Sequence, residues 1–427
     1  MKKTLLLTIL VSGLWFLVSS SAYANNLTID NVEIVSKDKA NKTSTIQFDI
    51  SWENSWRGSR NYDAVWVFVK YKLNSDGKWY HANLKTAGTN PSGFDRGTGT
   101  EIDIIVPSDK VGAFIQRSNT GAGTTSVTDV ELVWDWDAGG LDADAVIDEI
   151  KVFGIEMTYI PSGNFYVGDT QADYGQFEAG ITGAVFQITS EGALTLGGGG
   201  AGSLGNNNAT GMATADDFND STSTNLPSTF PKGYDAFYCM KYEISQGQYR
   251  DFLNTLTRDQ QNKRTFTDVS TDAITNIYVM ANNSSMEYRN GIKCPATGNG
   301  TTEPITFGCD YNEASTFDES TDGEWIACNY LSWMDGCAYA DWAGLRPMTE
   351  LEFEKVCRGP ETSLADECAW GTTDVTQAEG DVQSPGEKYE TAMTTGNGLA
   401  NYDGAGTDIL GPLRIGFAAA SATNRVS

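Results

Sequence analysis

The chain has 427 residues, with 29 Lys and Arg against 56 Asp and Glu, a formal net charge of −27 and one histidine. That balance repels phosphate backbones and anionic lipid surfaces, both bound chiefly through Lys and Arg, so nucleic acid is not an expected partner. Hydrophobic content of 40% with 11% aromatics is too high for a disordered acidic chain, and 45 glycines and 11 tryptophans favour strands, turns and loops.

At roughly 150 residues per domain the length suits two or three domains. With His81 as the single histidine, a three-histidine metal site is excluded, and a Ser-His-Asp relay would have to use that residue. The run Lys78-Trp79-Tyr80-His81 places it on a surface strand.

Residues 1–24 carry Lys2 and Lys3, the apolar run Leu5 to Val18 and then Ala22-Tyr23-Ala24. This is the order of charge, apolar core and small-x-small cleavage site of a secretory signal peptide, with cleavage expected after Ala24. An uncleaved anchor would need about 20 apolar residues, and this run is shorter and contains Ser12 and Gly13. No cysteine follows the site to accept a lipid, so a secreted or periplasmic chain without a membrane anchor is expected. Losing Lys2 and Lys3 takes its charge from −27 to −29. Export permits disulfides, and all seven cysteines fall between Cys239 and Cys368. The odd count leaves one over, bridges and buried thiols both stay open, and no CxxC or Cys/His spacing points to zinc.

From 25 to 155 the sequence alternates with period two. Ile46, Phe48, Ile50 and Trp52 share one face, as do Val65, Val67, Val69 and Tyr71, and then Val130, Leu132, Trp134 and Trp136. Turn clusters such as Asn74-Ser75-Asp76-Gly77 separate these runs, which predicts an antiparallel β-sandwich. Trp66, Trp79, Trp134 and Trp136 suit either core or half-buried strand positions, or a carbohydrate face on which sugar C–H groups stack. Asp135, Asp137, Asp142 and Asp144 crowd a glycine turn, but counting Asp135 as the first position puts Val146 where a calcium loop needs a bidentate Glu. A solvated acidic loop is the better reading.

The stretch 194–226, with Gly197 to Gly200 and Asn206-Asn207-Asn208, has little apolar periodicity and reads as an insertion or mobile loop. No Lys-Ser/Thr follows its glycines, so it does not cradle phosphate. Three helix starts follow, at Ser245-x-x-Gln248, Ser332-x-x-Asp335 and Thr349-x-x-Glu352, of which the first and third are capping boxes. Tyr249, Phe252 and Leu253 give the first helix its apolar face, ending near Leu256, and the third sets Leu351 near Val356 with Glu352 and Glu354 turned outward.

Three blocks carry a resemblance. The first is Met157-Thr158-Tyr159-Ile160-Pro161-Ser162-Gly163-Asn164-Phe165-Tyr166-Val167-Gly168, and the second runs from Phe237 through Tyr242-Glu243-Ile244-Ser245 to Tyr249. The third and most specific runs from Leu331-Ser332-Trp333-Met334-Asp335 through Trp342-Ala343-Gly344-Leu345-Arg346-Pro347-Met348-Thr349-Glu350 to Lys355. In this order they resemble the formylglycine-generating enzyme family, or sulfatase-modifying factor domain, over about 156–427. Arg346-Pro347-Met348-Thr349-Glu350 stands where the family usually reads Arg-Leu-Pro-Thr-Glu.

The resemblance implies a β-rich α+β protein: the N-terminal antiparallel β-sandwich, then a C-type-lectin-like domain with few short helices. It also implies copper-dependent oxidation of a sulfatase cysteine to formylglycine by a cysteine pair that follows a Gly-Asn-x-Trp-Glu segment. These 427 residues contain no such segment. The copy is expected to be incomplete toward Ser427 and not catalytic as it stands, with no catalytic residue carried over and copper relevant only if a further C-terminal segment exists. Cys357 is similar to a family cysteine that pairs with one further on. An iron-dependent oxygenase relative would need histidine ligands, and His81 lies in the other domain. The metal site that the resemblance implies is calcium, held by Asn401, Tyr402, Asp408 and Leu410. Alternatively the chain is a non-catalytic extracellular or cell-surface binding module, its partner a protein, a carbohydrate or a sulfatase.

Overall fold

The computed structural model describes residues 26–417 apart from 143, 170–175, 207–220, 271–273, 296–301, 369–371, 379, 395 and 403–409. The expected signal peptide therefore lies outside the described residues. The first strands are β1 (Thr28–Asp38), β2 (Thr43–Arg57), β3 (Asp63–Leu73), β4 (Trp79–Ala82), β5 (Gly88–Thr89), β6 (Thr98–Gly99), β7 (Ile102–Val106), β8 (Ala113–Arg117), β9 (Gly121–Asp135) and β10 (Ile147–Ile160). One antiparallel sheet runs β1-β2-β9-β6, and the other runs β10-β3-β8-β7-β5 with β4 also on β3. Alternating side chains of both sheets fill one core, among them Phe48, Trp52, Val67, Ile104, Ile115 and Leu132. Trp134 and Trp136 are buried in it, which places them in the core and not on a sugar-binding surface.

The period-two pattern of β3 conceals a second buried face. Every residue from Asp63 to Tyr71 is buried. The even-numbered set, Trp66 and Phe68, packs into a different core together with Tyr249, Phe252, Leu253 and Tyr339. A strand covered on both sides loses the polar half of its alternation. Trp66 Nε1 also donates to the Ala343 carbonyl at 2.7 Å, and the buried Asp63 carboxylate accepts from Trp52 Nε1 and Ser55 Oγ at 3.1 Å and from Lys241 Nζ at 3.3 Å. The bonds of Trp66 to Ala343 and of Lys241 to Asp63 are polar ties between the two parts of the chain.

The later elements are β11 (Phe165–Val167), β12 (Phe177–Ala179), β13 (Phe186–Ile188), β14 (Leu194–Gly197), β15 (Leu204–Asn206), β16 (Ser223–Leu226) and β17 (Phe237–Met240). Next come α1 (Gln246–Leu253), α2 (Arg258–Gln261), β18 (Ile292–Lys293), β19 (Gly308–Cys309), α3 (Trp333–Trp342) and α4 (Glu350–Arg358). The two-residue strands β20 (Thr376–Gln377), β21 (Val382–Gln383), β22 (Thr391–Ala392) and β23 (Leu399–Ala400) follow. The result is β-rich with few short helices. Strand β17 pairs with the last four residues of β10, from Met157 to Ile160, so a hydrogen-bonded sheet runs through the expected boundary at 155/156. The stretch 194–226 supplies β14, β15 and β16, which join β12 in a four-stranded sheet.

All three expected N-caps form, and each is a reciprocal capping box, including Ser332 with Asp335. A fourth, Thr257 with Gln260, starts α2. The sequence reading of α4 needs correction. Glu352 does not turn outward: it is 2% exposed, caps Thr349 N–H at 2.9 Å and takes both arms of the Arg346 guanidinium, at 2.8 and 2.6 Å. The inward face is Leu351, Glu352 and Lys355, while Phe353 is exposed. A capping-box glutamate must fold back over the helix start, which buries it whenever that start is packed.

Candidate functional site

The loop face expected to hold a metal is anchored from beneath by a buried charge cluster. Glu390, fully buried, accepts from both arms of Arg289, from Gly386 N–H at 2.7 Å and from Arg414 N–H at 2.9 Å. Arg414 Nε returns a bond to the Glu390 carbonyl at 2.8 Å, and Arg289 reaches the Pro412 carbonyl at 2.6 Å. The cluster fixes residues 411–415 against 386–390. Gly411, at φ +123°, lets that segment pass Tyr288: a Cβ there would sit 2.3 Å from the Tyr288 carbonyl oxygen.

Asn401 Nδ2 donates to the Gly411 carbonyl at 2.8 Å, so the first and last parts of the expected metal loop meet. Asn401, Tyr402 and Leu410 are exposed, and Asp408 lies outside the described residues. What the described part offers is the Asn401 Oδ1 and main-chain carbonyls, hard oxygen donors that fit calcium and not a soft metal. Among the described residues no three His, Cys, Asp or Glu side chains gather as a metal site. Tyr288, whose main chain passes Gly411, is exposed and stands against Tyr330 with centroids 6.3 Å apart, and shortly after Tyr330 in the chain Trp333 (72% exposed) and Met334 (61%) begin α3.

All seven cysteines are free thiols. Cys239 donates to the Met240 carbonyl at 3.3 Å and Cys294 to the Ile274 carbonyl at 2.7 Å. Burial pushes the Cys239 thiol up to about 11 and also raises Cys309, Cys328, Cys357 and Cys368. In the absence of metal, burial disfavours the thiolate form of these five, and copper(I), which is held by thiolates, would have to displace their protons.

The acidic turn after β9 is cross-linked to lysines. Asp137 pairs with Lys42, Asp144 with Lys39, and Asp135, which is buried, with Lys85 at 3.2 Å. The exposed members form the solvated loop expected, its charges partly balanced by β1–β2 residues.

Two cavities flank the seam between the second sheet and the helices. One, of about 320 Å³, includes Arg250, Asp251 and Glu324, and its cation is engaged by Asp251, Asp318 and Glu324 at 2.8, 2.5 and 2.6 Å. The other, of about 540 Å³, is lined by Lys70, Trp79, His81, Lys263, Arg264, Asp341 and Trp342, among others. His81 is therefore not a surface strand residue. It is half-buried in the seam, stacked on Phe68 with centroids 6.1 Å apart and with Nε2 2.5 Å from the Val111 carbonyl, and burial pulls its pKa down to about 4. Only the packing of the helices onto the outer face of β3 and β4 creates this site. A lysine at position 70 within an otherwise apolar run is the one signal the sequence held.

Comparison with known proteins bears on the second part of the chain. Residues 199–401 match the family model of the sulfatase-modifying factor enzyme 1-like domain. The chain carries a formylglycine-generating enzyme family domain. The matched stretch contains all four described helices and stops at Asn401. No curated protein and no solved structure matches the chain. Among the described residues no helix is long and apolar enough to cross a membrane.

Proposed function

We propose that this protein is a secreted, non-catalytic binding module, in which the formylglycine-generating enzyme family domain serves as a lectin-like scaffold and its loop face binds a carbohydrate. The observation that carries this reading is the exposed pair Tyr288 and Tyr330, with Tyr288 against Gly411 of the anchored loop, and the exposed Trp333 three residues after Tyr330 in the chain. Flat aromatic rings held on a rigid body stack on sugar C–H faces, and loops on a fixed framework are where binding residues concentrate. In the proposal calcium is held at Asn401, Tyr402, Asp408 and Leu410, where hard oxygens would bind it and order the rim of that face. The signal-peptide-like start of the sequence supports secretion.

Glycan-array binding by the purified protein, with and without calcium, tests this reading. Saturable binding that weakens in Trp333→Ala supports it, and an array with no binder, or one indifferent to Trp333→Ala, refutes it.

A second reading, the sulfatase-cysteine oxidase, is favoured by the family match over 199–401. Its chemistry needs thiolates that hold copper(I), and burial disfavours the thiolate at Cys239, Cys309, Cys328, Cys357 and Cys368. Oxygen consumption by the copper-treated protein with a cysteine-containing peptide decides between the two: no turnover is expected, and measurable peptide oxidation would restore the oxidase.

A further inference from the structure

Lys70 is 7% exposed and faces the larger seam cavity. Among the described residues its ammonium makes no hydrogen bond and no ion pair within 4.0 Å, and its near neighbours are the rings of Trp342 and Phe68, at 5.6 and 5.9 Å from their centroids. A buried ammonium retains a strong demand for an acceptor, which aromatic faces meet only in part. The other charges lining the cavity do not supply one. Lys263 and Arg264 add positive charge, Arg264 is held by Asp335 at 2.8 Å, and the acid of the lining, Asp341, is exposed and forms no ion pair among the described residues. In a chain of net charge −27 this is a locally cationic chamber with aromatic walls.

We propose that this cavity is a binding site for a small oxyanion, a carboxylate, sulfate or phosphate group, held on the Lys70 ammonium. Trp79 and Trp342 offer flat walls to whatever apolar part carries the anion, and a volume of about 540 Å³ is in the range of small-ligand sites. The site is remote in chemistry from the exposed aromatic face and stands whether that face binds sugar or not.

Isothermal titration with sodium acetate, sulfate and phosphate, at constant ionic strength set with sodium chloride, tests the proposal and tells the three anions apart. Saturable binding of at least one is expected, retained in Lys70→Arg and lost at least tenfold in Lys70→Met. No binding of any of the three, or equal binding in wild type and Lys70→Met, overturns it. Should Lys70→Met not fold, the wild type decides by pH. Desolvation pulls the Lys70 pKa down to about 8, against a raising influence from Asp341. The other charged or titratable groups around it are His81 on β4, Asp109 before β8, and Lys263 and Arg264 after α2. His81, at about 4, stays neutral across the range tested. Affinity for acetate or sulfate, whose charge is constant over this range, should therefore hold from pH 6.5 to 7.5 and fall as the ammonium deprotonates above about 8. A flat profile to pH 9 overturns the proposal.

Discussion

Replacing Glu390 by Gln removes the charge on which the loop anchor is built. Its two carboxylate oxygens take two donors each: Oε1 from Arg289 Nη1 at 3.1 Å and Arg414 N–H at 2.9 Å, Oε2 from Arg289 Nη2 and from Gly386 N–H at 2.7 Å. A glutamine keeps one oxygen, and whichever way the amide turns, its NH₂ faces two of these donors. One arm of a guanidinium whose side chain is only 9% exposed then loses both its acceptor and its counter-charge. Breaking a buried pair in this way costs about 3–5 kcal/mol, a large part of a typical ~5–15 kcal/mol total. At roughly 2–4 °C per kcal/mol for a domain of this size class, thermal unfolding of the second domain should begin about 6–20 °C lower. Scanning calorimetry of Glu390→Gln against Glu33→Gln, an exposed control expected to shift by less than about 0.5 kcal/mol, measures it. A loss below about 1 kcal/mol would refute the view that this cluster anchors the loop.

Gly411→Ala puts a Cβ 2.3 Å from the Tyr288 carbonyl at a φ of +123°, so it should destabilise by about 1–3 kcal/mol and speed chymotryptic cleavage at Tyr402. Trp66→Phe strips the 2.7 Å bond from the fully buried Ala343 and leaves a void where the larger indole packed, and urea unfolding should report at least about 1–3 kcal/mol lost. His81 has a folded pKa of about 4 against 6.5 unfolded, so the unfolded chain takes up the proton first as pH falls. Its contribution is present above pH 6.5 and is lost progressively toward pH 4, by about 3 kcal/mol at 1.36 kcal/mol per pH unit. Relative to His81→Gln, the wild type should lose about that much between pH 7 and pH 4. Parallel loss in the two proteins would show that His81 does not titrate in this window.

Local rules made much of the architecture legible. A capping box is a contact between residues three apart, so Ser245, Ser332 and Thr349 could be read off the chain, and all three start helices. The inward rows Ile46 to Trp52 and Val65 to Tyr71 follow from strand periodicity alone, because a pleated strand sends alternate side chains to opposite faces. The family domain was legible for the same reason, its blocks being contiguous in sequence.

Wherever two such elements meet, periodicity stops informing. Nothing local distinguishes Trp66 and Phe68 on a solvated face from the same residues beneath a helix, and only the docking of α1 and α3 makes them core. That docking also turns His81 and Lys70 from surface strand positions into the wall of a cavity. Glu352 went inward for a related reason, since Arg346 and a packed helix start reached it together. The sequence by itself determined where the three capped helices begin and which face of the sandwich strands is apolar. The tertiary structure alone decided which polar groups lie in low dielectric, because desolvation depends on what covers a residue and not on its neighbours along the chain.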